Sequence, residues 1–334
     1  MGYGYWTRDS FVNYSAARGR TVTADGCLDR NLTDQQIFTQ RGLHAKLSPR
    51  GVMRECCDSK DHPHTIPVIL ALDVTGSMGP ASAEVAKKMN EVMTRLYGRI
   101  PDVEFMVMGI GDLAYDRAPI QISQFEADIR IAEQLDLIYM EHGGGGNAYE
   151  SYTAAWYMGL NHTRLDCWKR GERGLIITMG DEPMNPYLPR EPLAAATGDA
   201  LQGDVVTRQL YRETLEKYDL YHLHVRHRQP DHYLQRVQET FGGLLPADHL
   251  RVAGIEEIAD MLIGIITDHA KRNTVERVRW DTDAGAENPD AGEKPAGQAT
   301  AVIAWDTGEE AAKERNEVRP EQPQKRGLFR RIAW

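Results

Sequence analysis

Residues 63–272 predict a doubly wound α/β domain with a mostly parallel sheet, and three observations carry that reading. The stretch from His64 to Ser77 reads HTIPVILALDVTGS, where a near-continuous apolar run over 67–72 stops abruptly at Asp73, Thr75, Gly76 and Ser77. Such a run suits a strand buried on both faces that delivers polar groups at its carboxyl end, where ligands sit in open α/β sheets. Two later segments, GLIIT at 174–178 and LYHLHV at 220–225, read as further strands, the first of them buried. Helical spacings fall between the runs, so that strand and helix alternate.

The chain has 334 residues, 41% of them hydrophobic and 26% charged, with a net charge of -10. That length supports a sizeable core in one large or two ordinary domains. The acidic balance argues against general binding to nucleic acid or to an anionic membrane, because phosphate would repel it. A signal-peptide core and a bilayer-length apolar run are both missing from the sequence, and Trp6 stands where a myristoylation signal after Gly2 needs Ser or Thr. The expected location is the cytoplasm. Cys27, Cys56, Cys57 and Cys167 form no Cys-x-x-Cys pair, so reduced thiols are expected, with a metal site near His62 and His64 as the lesser alternative.

Residues 1–62 read as an extension packed on the main domain. Residues 9–18 suit a short helix, Thr33 and Asp34 cap another running to Phe38, and Ser48 with Pro49 start a third that ends near Cys57. None is long enough to build a core alone, and a role in covering a sheet edge is expected. Tyr3, Tyr5, Trp6 and Phe11 either join that packing or form a partner-binding face.

The spacing of Asp73, Thr75 and Ser77 puts one carboxylate and two hydroxyls on a tight turn, with Pro80 near the start of a following helix. These hard oxygens leave room for water and suit Mg²⁺, which takes six oxygens at roughly 2.0 to 2.1 Å. From Leu70 through Asp73-Val74-Thr75-Gly76-Ser77 to Met78, the chain resembles the first metal loop of a von Willebrand factor A domain. The metal-ion-dependent adhesion site of that family begins Asp-x-Ser/Thr-x-Ser. The resemblance implies a Rossmann-like fold whose mostly parallel sheet has one antiparallel edge strand.

Apolar residues at Val85, Met89, Val92, Met93 and Leu96 predict an amphipathic helix over 81–97. VEFMVMGI at 103–110 reads as a strand whose alternation places it at an edge or antiparallel. Asp112 and Asp116 in the next loop are read as solvated turn formers ahead of any metal role. A helix over 123–137 and a very short strand over 138–140 follow. The four glycines at 143–146 mark a loop with unusual dihedrals or a close backbone approach. Without a following Gly-Lys-Ser/Thr, this loop is not a Walker-type nucleotide site. The resemblance implies a Gly-Gly-Thr loop that supplies the next hydroxyl. Asn147 occupies that place, its amide oxygen able to ligate, with Ser151 or Glu150 as alternatives.

A helix over 148–160 precedes the strand at 174–178, which runs into Met179-Gly180-Asp181-Glu182-Pro183. The resemblance implies an acidic residue after this strand, and that role is carried to Asp181, with Glu182 as the fallback. Pro183, Pro186 and Pro189 stiffen the loop that follows. Residues 204–218 read as a helix and 220–225 as a strand on which His222 and His224 share a face. Two such histidines seed a metal site or, the favoured reading, are packed and hydrogen-bonded. Helices over 231–241 and 255–270 flank a final strand over 249–252. Residues 273–334 read as an acidic flexible tail. Two islands within it, AVIAW at 301–305 and KRGLFRRIAW at 325–334, both end in Ile-Ala-Trp and are candidate docking motifs for a second partner.

The leading functional expectation is a Mg²⁺-dependent protein-binding module, with Asp73, Thr75, Ser77, Asn147 and Asp181 at the metal and Mn²⁺ or Ca²⁺ as alternatives. By the resemblance, a partner protein offers an Asp or Glu to the cation, and intracellular relatives act in multiprotein assemblies, some alongside AAA+ ATPases. A Mg²⁺-dependent phosphohydrolase using Asp73, Asp112, Asp181 and Glu182 is the alternative. The loop at Asp73 superficially resembles the haloacid dehalogenase nucleophile loop, but Thr75 stands where that family needs a second Asp. A structural domain that has lost its metal is the third reading.

Overall fold

The computed structural model describes residues 4–141, 143, 147, 149–226 and 231–284, and for 274–284 the backbone alone. The tail from residue 285, with both Ile-Ala-Trp islands, lies outside the described residues, as do Tyr3, His142, three of the loop glycines and Ala148. The chain begins with α1 (Arg8–Ala17), α2 (Asp34–Ile37) and β1 (Arg54–Cys56), then β2 (Ile66–Asp73), α3 (Gly79–Tyr97), β3 (Val103–Ile110) and β4 (Ile120–Ile122). It continues through α4 (Arg130–Leu135), α5 (Thr153–Asn161), β5 (Thr163–Leu165), α6 (Asp166–Lys169), β6 (Gly174–Gly180), β7 (Tyr187–Leu188) and α7 (Arg190–Thr197). The remaining elements are β8 (Val205–Val206), α8 (Thr207–Thr214), β9 (Tyr218–Arg226), α9 (Leu234–Gly242), β10 (Leu250–Gly254) and α10 (Ile258–Ala284).

Among the described residues six strands form the main sheet, in the order β10-β9-β6-β2-β3-β4. Every pairing is parallel except β3 with β4, which is antiparallel at the edge. This is the doubly wound, mostly parallel architecture expected, with its one antiparallel edge strand. The apolar run of β2 explains its central place, since both of its faces are covered. Val68, Leu70 and Leu72 pack into a core with α1, α3, α4 and α10, while Ile69 and Ala71 pack into a second core with α5, α8 and α9. Small sheets of β1 with β5 and of β7 with β8 stand apart.

Several local expectations are corrected. β3 is neither at the edge nor antiparallel to β2: it pairs parallel along its whole length, and all eight of its residues are buried. Its apparent alternation comes from Glu104, a polar residue that is 1% exposed. The antiparallel edge is β4. The expected helix over 123–137 forms only at Arg130–Leu135. Ahead of it the Ser123 hydroxyl accepts from Val107 N at 2.8 Å and Glu126 bridges to Phe105, so the chain stays extended along β3. No strand forms over 138–140. Instead the Gln121 side chain imitates one, donating to Tyr139 O at 2.7 Å and accepting from Tyr139 N at 2.8 Å. The expected helix from Ser48 is replaced by β1, which pairs with β5. The helix expected to end at residue 270 continues to Ala284.

The N-terminal extension packs on the helical layer over α3. Trp6 is buried and donates through Nε1 to Asn90 Oδ1 at 2.9 Å, and Phe11 joins the same core. His62 is fully buried with Nε2 2.9 Å from Gly4 O and Nδ1 3.1 Å from Pro101 O, so backbone carbonyls take both ring nitrogens. All four cysteines are free thiols.

Candidate metal centre

Asp73 closes β2 and is completely buried. Its Oδ1 accepts from Thr75 N at 2.8 Å and from the Thr75 hydroxyl at 2.6 Å, the local bond pattern that ends a strand in a tight turn. A single 3₁₀ turn at Gly76–Met78 then leads into α3, which carries Pro80 in its first turn. Gly76 N donates to Gly143 O at 3.1 Å and ties the glycine-rich loop to this turn.

The neighbouring strand β6 ends at Gly180, and Asp181 follows. The Ser77 hydroxyl donates to Asp181 Oδ1 at 3.2 Å, so the loops after β2 and β6 meet through a hydroxyl and a carboxylate. Tyr152 joins them from behind. Its hydroxyl donates to Asp73 Oδ2 at 2.7 Å and accepts from Glu182 N at 3.3 Å. A Cβ on residue 180 would overlap that hydroxyl, which is why a glycine ends β6. Four of the five expected ligands, Asp73, Thr75, Ser77 and Asp181, are thereby drawn together.

The Oδ1 of the fifth, Asn147, accepts from Tyr149 N at 3.0 Å, and its side chain also bonds Asp112. Ser151, an alternative for the same role, accepts from Leu113 N at 3.1 Å and ties two loops together. Glu150, the other alternative, is buried and pointed into a crowd of acids. Burial above all, then Asp73, Glu182 and Asp112, pushes its carboxyl up to about 11. Asp73 is raised to about 7 by burial and then by Asp181, and Glu182 to about 7 by burial and then by Asp181 and Asp112. Asp116 rises to about 6 for the same first reason. Asp112 Oδ2 and Glu150 Oε2 are buried without a hydrogen-bond partner among the described residues. Sequence reading took Asp112 and Asp116 for solvated turn formers; both are largely withdrawn from water. It also missed Tyr152, which looked like one more helix residue.

Crowded, buried carboxylates keep their protons unless a cation compensates them. Hard oxygens, two orphaned carboxylate atoms among them, fit a hard divalent ion such as Mg²⁺. No three His, Cys, Asp or Glu side chains among the described residues are arranged to hold a metal, so any shell at Asp73 is a mixed one in which hydroxyls and water share the coordination.

No family model matches the chain, and neither does any curated protein. Among solved structures it is similar to the open form of the pilus adhesin SpaC from Lactobacillus rhamnosus GG, with a TM-score of 0.43 and 12% identity over 67% of this chain and 31% of that one. It is also similar to proximal thread matrix protein 1 of the mussel byssus, with a TM-score of 0.38 and 11% identity over 64% and 49% of the two chains. A third likeness is to the vWF domain of the type V pili tip protein Mfa5 from Porphyromonas gingivalis, with a TM-score of 0.39 and 10% identity over 61% and 94%. The chain thus spans about a third of the adhesin's length. At such scores these likenesses add no argument, and the fold rests on its own topology.

Proposed function

We propose that this protein is a metal-dependent protein-binding module. Asp73, Thr75, Ser77 and Asp181 hold Mg²⁺, or Mn²⁺ or Ca²⁺ in its place, directly or through water, and Asn147 lends an amide oxygen from the glycine-rich loop. The observation that supports this most is the Ser77–Asp181 hydrogen bond beside buried Asp73, which joins the carboxyl ends of two adjacent parallel strands. Few full charges next to the ion leave it attracting one more, and a partner's Asp or Glu supplies it. Among the described residues no helix is long and apolar enough to cross a membrane. A cytoplasmic scaffold in a multiprotein assembly, with an AAA+ ATPase system as one such setting by analogy, is the role this reading favours.

Thermal unfolding tests it. Chelated protein is compared before and after adding Mg²⁺, Mn²⁺ or Ca²⁺, for the parent and for Asp73→Ala. Occupancy at about 100 times the dissociation constant adds roughly 2.7 kcal/mol to the parent and nothing to the variant. An open coordination position is probed with Mn²⁺: added glutarate, standing in for a partner carboxylate, displaces bound water and lowers water-proton relaxivity. A cation that stabilises both proteins equally would rule out the site. Glu150, a buried acid kept protonated beside Asp73, is the observation that favours the phosphohydrolase reading. Phosphoester turnover lost in Glu150→Gln would establish it.

A further inference from the structure

His222 and His224 lie near the carboxyl end of β9, two residues apart and hence on one face of the strand, and both are completely buried. Each is anchored through one ring nitrogen. His224 Nε2 lies 2.7 Å from Asp231 Oδ2, and a carboxylate only accepts, so Nε2 carries the hydrogen. His222 Nδ1 lies 2.9 Å from the Thr178 hydroxyl. That hydroxyl has one hydrogen, which it donates to Tyr221 O at 3.2 Å, so it accepts from Nδ1. His222 Nε2 and His224 Nδ1 are the ring nitrogens left over, and each is buried with no hydrogen-bond partner among the described residues. Protonating either would create a buried N–H with nothing to accept it. Burial above all holds the His222 ring well below its ordinary pKa, in keeping with a neutral imidazole there. The His222 ring is stacked 3.8 Å from Phe241 and lies 5.1 Å from the Tyr152 ring, so aromatic walls fix its plane.

We propose that His222 Nε2 and His224 Nδ1 form a two-imidazole site for a borderline divalent cation of the Zn²⁺ class, separate from the oxygen site at Asp73. Neutral imidazole suits such ions better than Mg²⁺. A carboxylate on the far nitrogen, as Asp231 is on His224, is the usual device that fixes a metal-binding tautomer and raises its basicity. Thr178 does the same for His222. Two imidazoles supply part of the shell, and water completes it.

The experiment uses the full chain after chelation, titrated with Zn²⁺ by calorimetry and with Co²⁺ by visible absorption, alongside long-range ¹H–¹⁵N spectra of the histidine rings. One equivalent is expected in the parent and in Asp73→Ala, with the ¹⁵N resonances of His222 Nε2 and His224 Nδ1 moving from lone-pair to ligated positions. Asp231→Asn, a positioning change, weakens the site about 10- to 100-fold. The double variant His222→Gln/His224→Gln loses it while keeping its circular dichroism. If that variant fails to fold, the ring spectra of the parent decide. The proposal is overturned by spectra showing a protonated His224 Nδ1, by Zn²⁺ that leaves these two nitrogens unmoved, by one equivalent retained in the folded double variant, or by no uptake, which would mean that the two lone pairs only share a buried water.

Discussion

The Ser77 hydroxyl reaches Asp181 across the boundary between the two central strands, and the Asp73 carboxyl feels that same Asp181 as its largest source of repulsion after burial. Asp181→Asn therefore lowers the pKa of Asp73 from about 7 while preserving the hydrogen bond from Ser77. Carboxyl ¹³C titration of the chelated protein checks this. An unmoved Asp73 would show that burial alone sets its acidity.

Stability should depend on pH in an unusual direction. Asp73 and Glu182 titrate at about 7 in the fold, against about 4 in an unfolded chain. Between those values the folded state binds more protons, so stability present below about pH 4 is lost as the pH rises through 7. Chelated protein is expected to melt at a lower temperature at pH 8 than at pH 5.5. Mg²⁺ should restore more at pH 8, because the ligands must be deprotonated to bind it. Asp73→Asn flattens the chelated profile.

Tyr152→Phe removes a hydroxyl that bonds the loops after β2 and β6 together. Asp73 Oδ2 and Glu182 N lose their shared partner, and buried groups left unpaired cost about 1–3 kcal/mol. Urea unfolding measures the loss. Cation-induced stabilisation should shrink as well, because Asp73 is then held through Oδ1 alone.

Gln121→Ala should open the segment before the glycine-rich loop. Its side chain makes both backbone bonds of Tyr139, and two buried groups set free cost roughly 2–6 kcal/mol. Hydrogen exchange at Tyr139 N would rise above that of the β3 amides. Protection unchanged at Tyr139 would refute the clamp.

How much of this was legible beforehand depends on where the information lies in the chain. The run over 67–72 announced β2 because a strand covered on both faces must be apolar throughout, and the break at Asp73 marked the site for the same reason. Glu104 misled the reading of β3, since an isolated buried acid looks like the polar half of an alternation until its surroundings are known. β1 and β5 are three residues each and owe their existence to one another, which neither segment reveals alone. Thr75 could be read from spacing because its bonds to Asp73 are local, and Ser77 because it sits on the same turn, although its own bond reaches Asp181. Tyr152 could not, because it reaches Asp73 from the position just before α5, remote in sequence, and its only trace was the glycine at 180. Asn147 was placed by analogy with a loop position, and the structure turns it towards Asp112.

That glycine links two positions into a single unit of inheritance. A variant that places a side chain at 180 meets the Tyr152 hydroxyl, and shortening residue 152 to make room disconnects Asp73 from the backbone of Glu182. The two sites can drift only together. A tyrosine at the first and a bare backbone at the second therefore form a two-letter signature by which other chains with this arrangement can be recognised, even where the metal-loop letters differ.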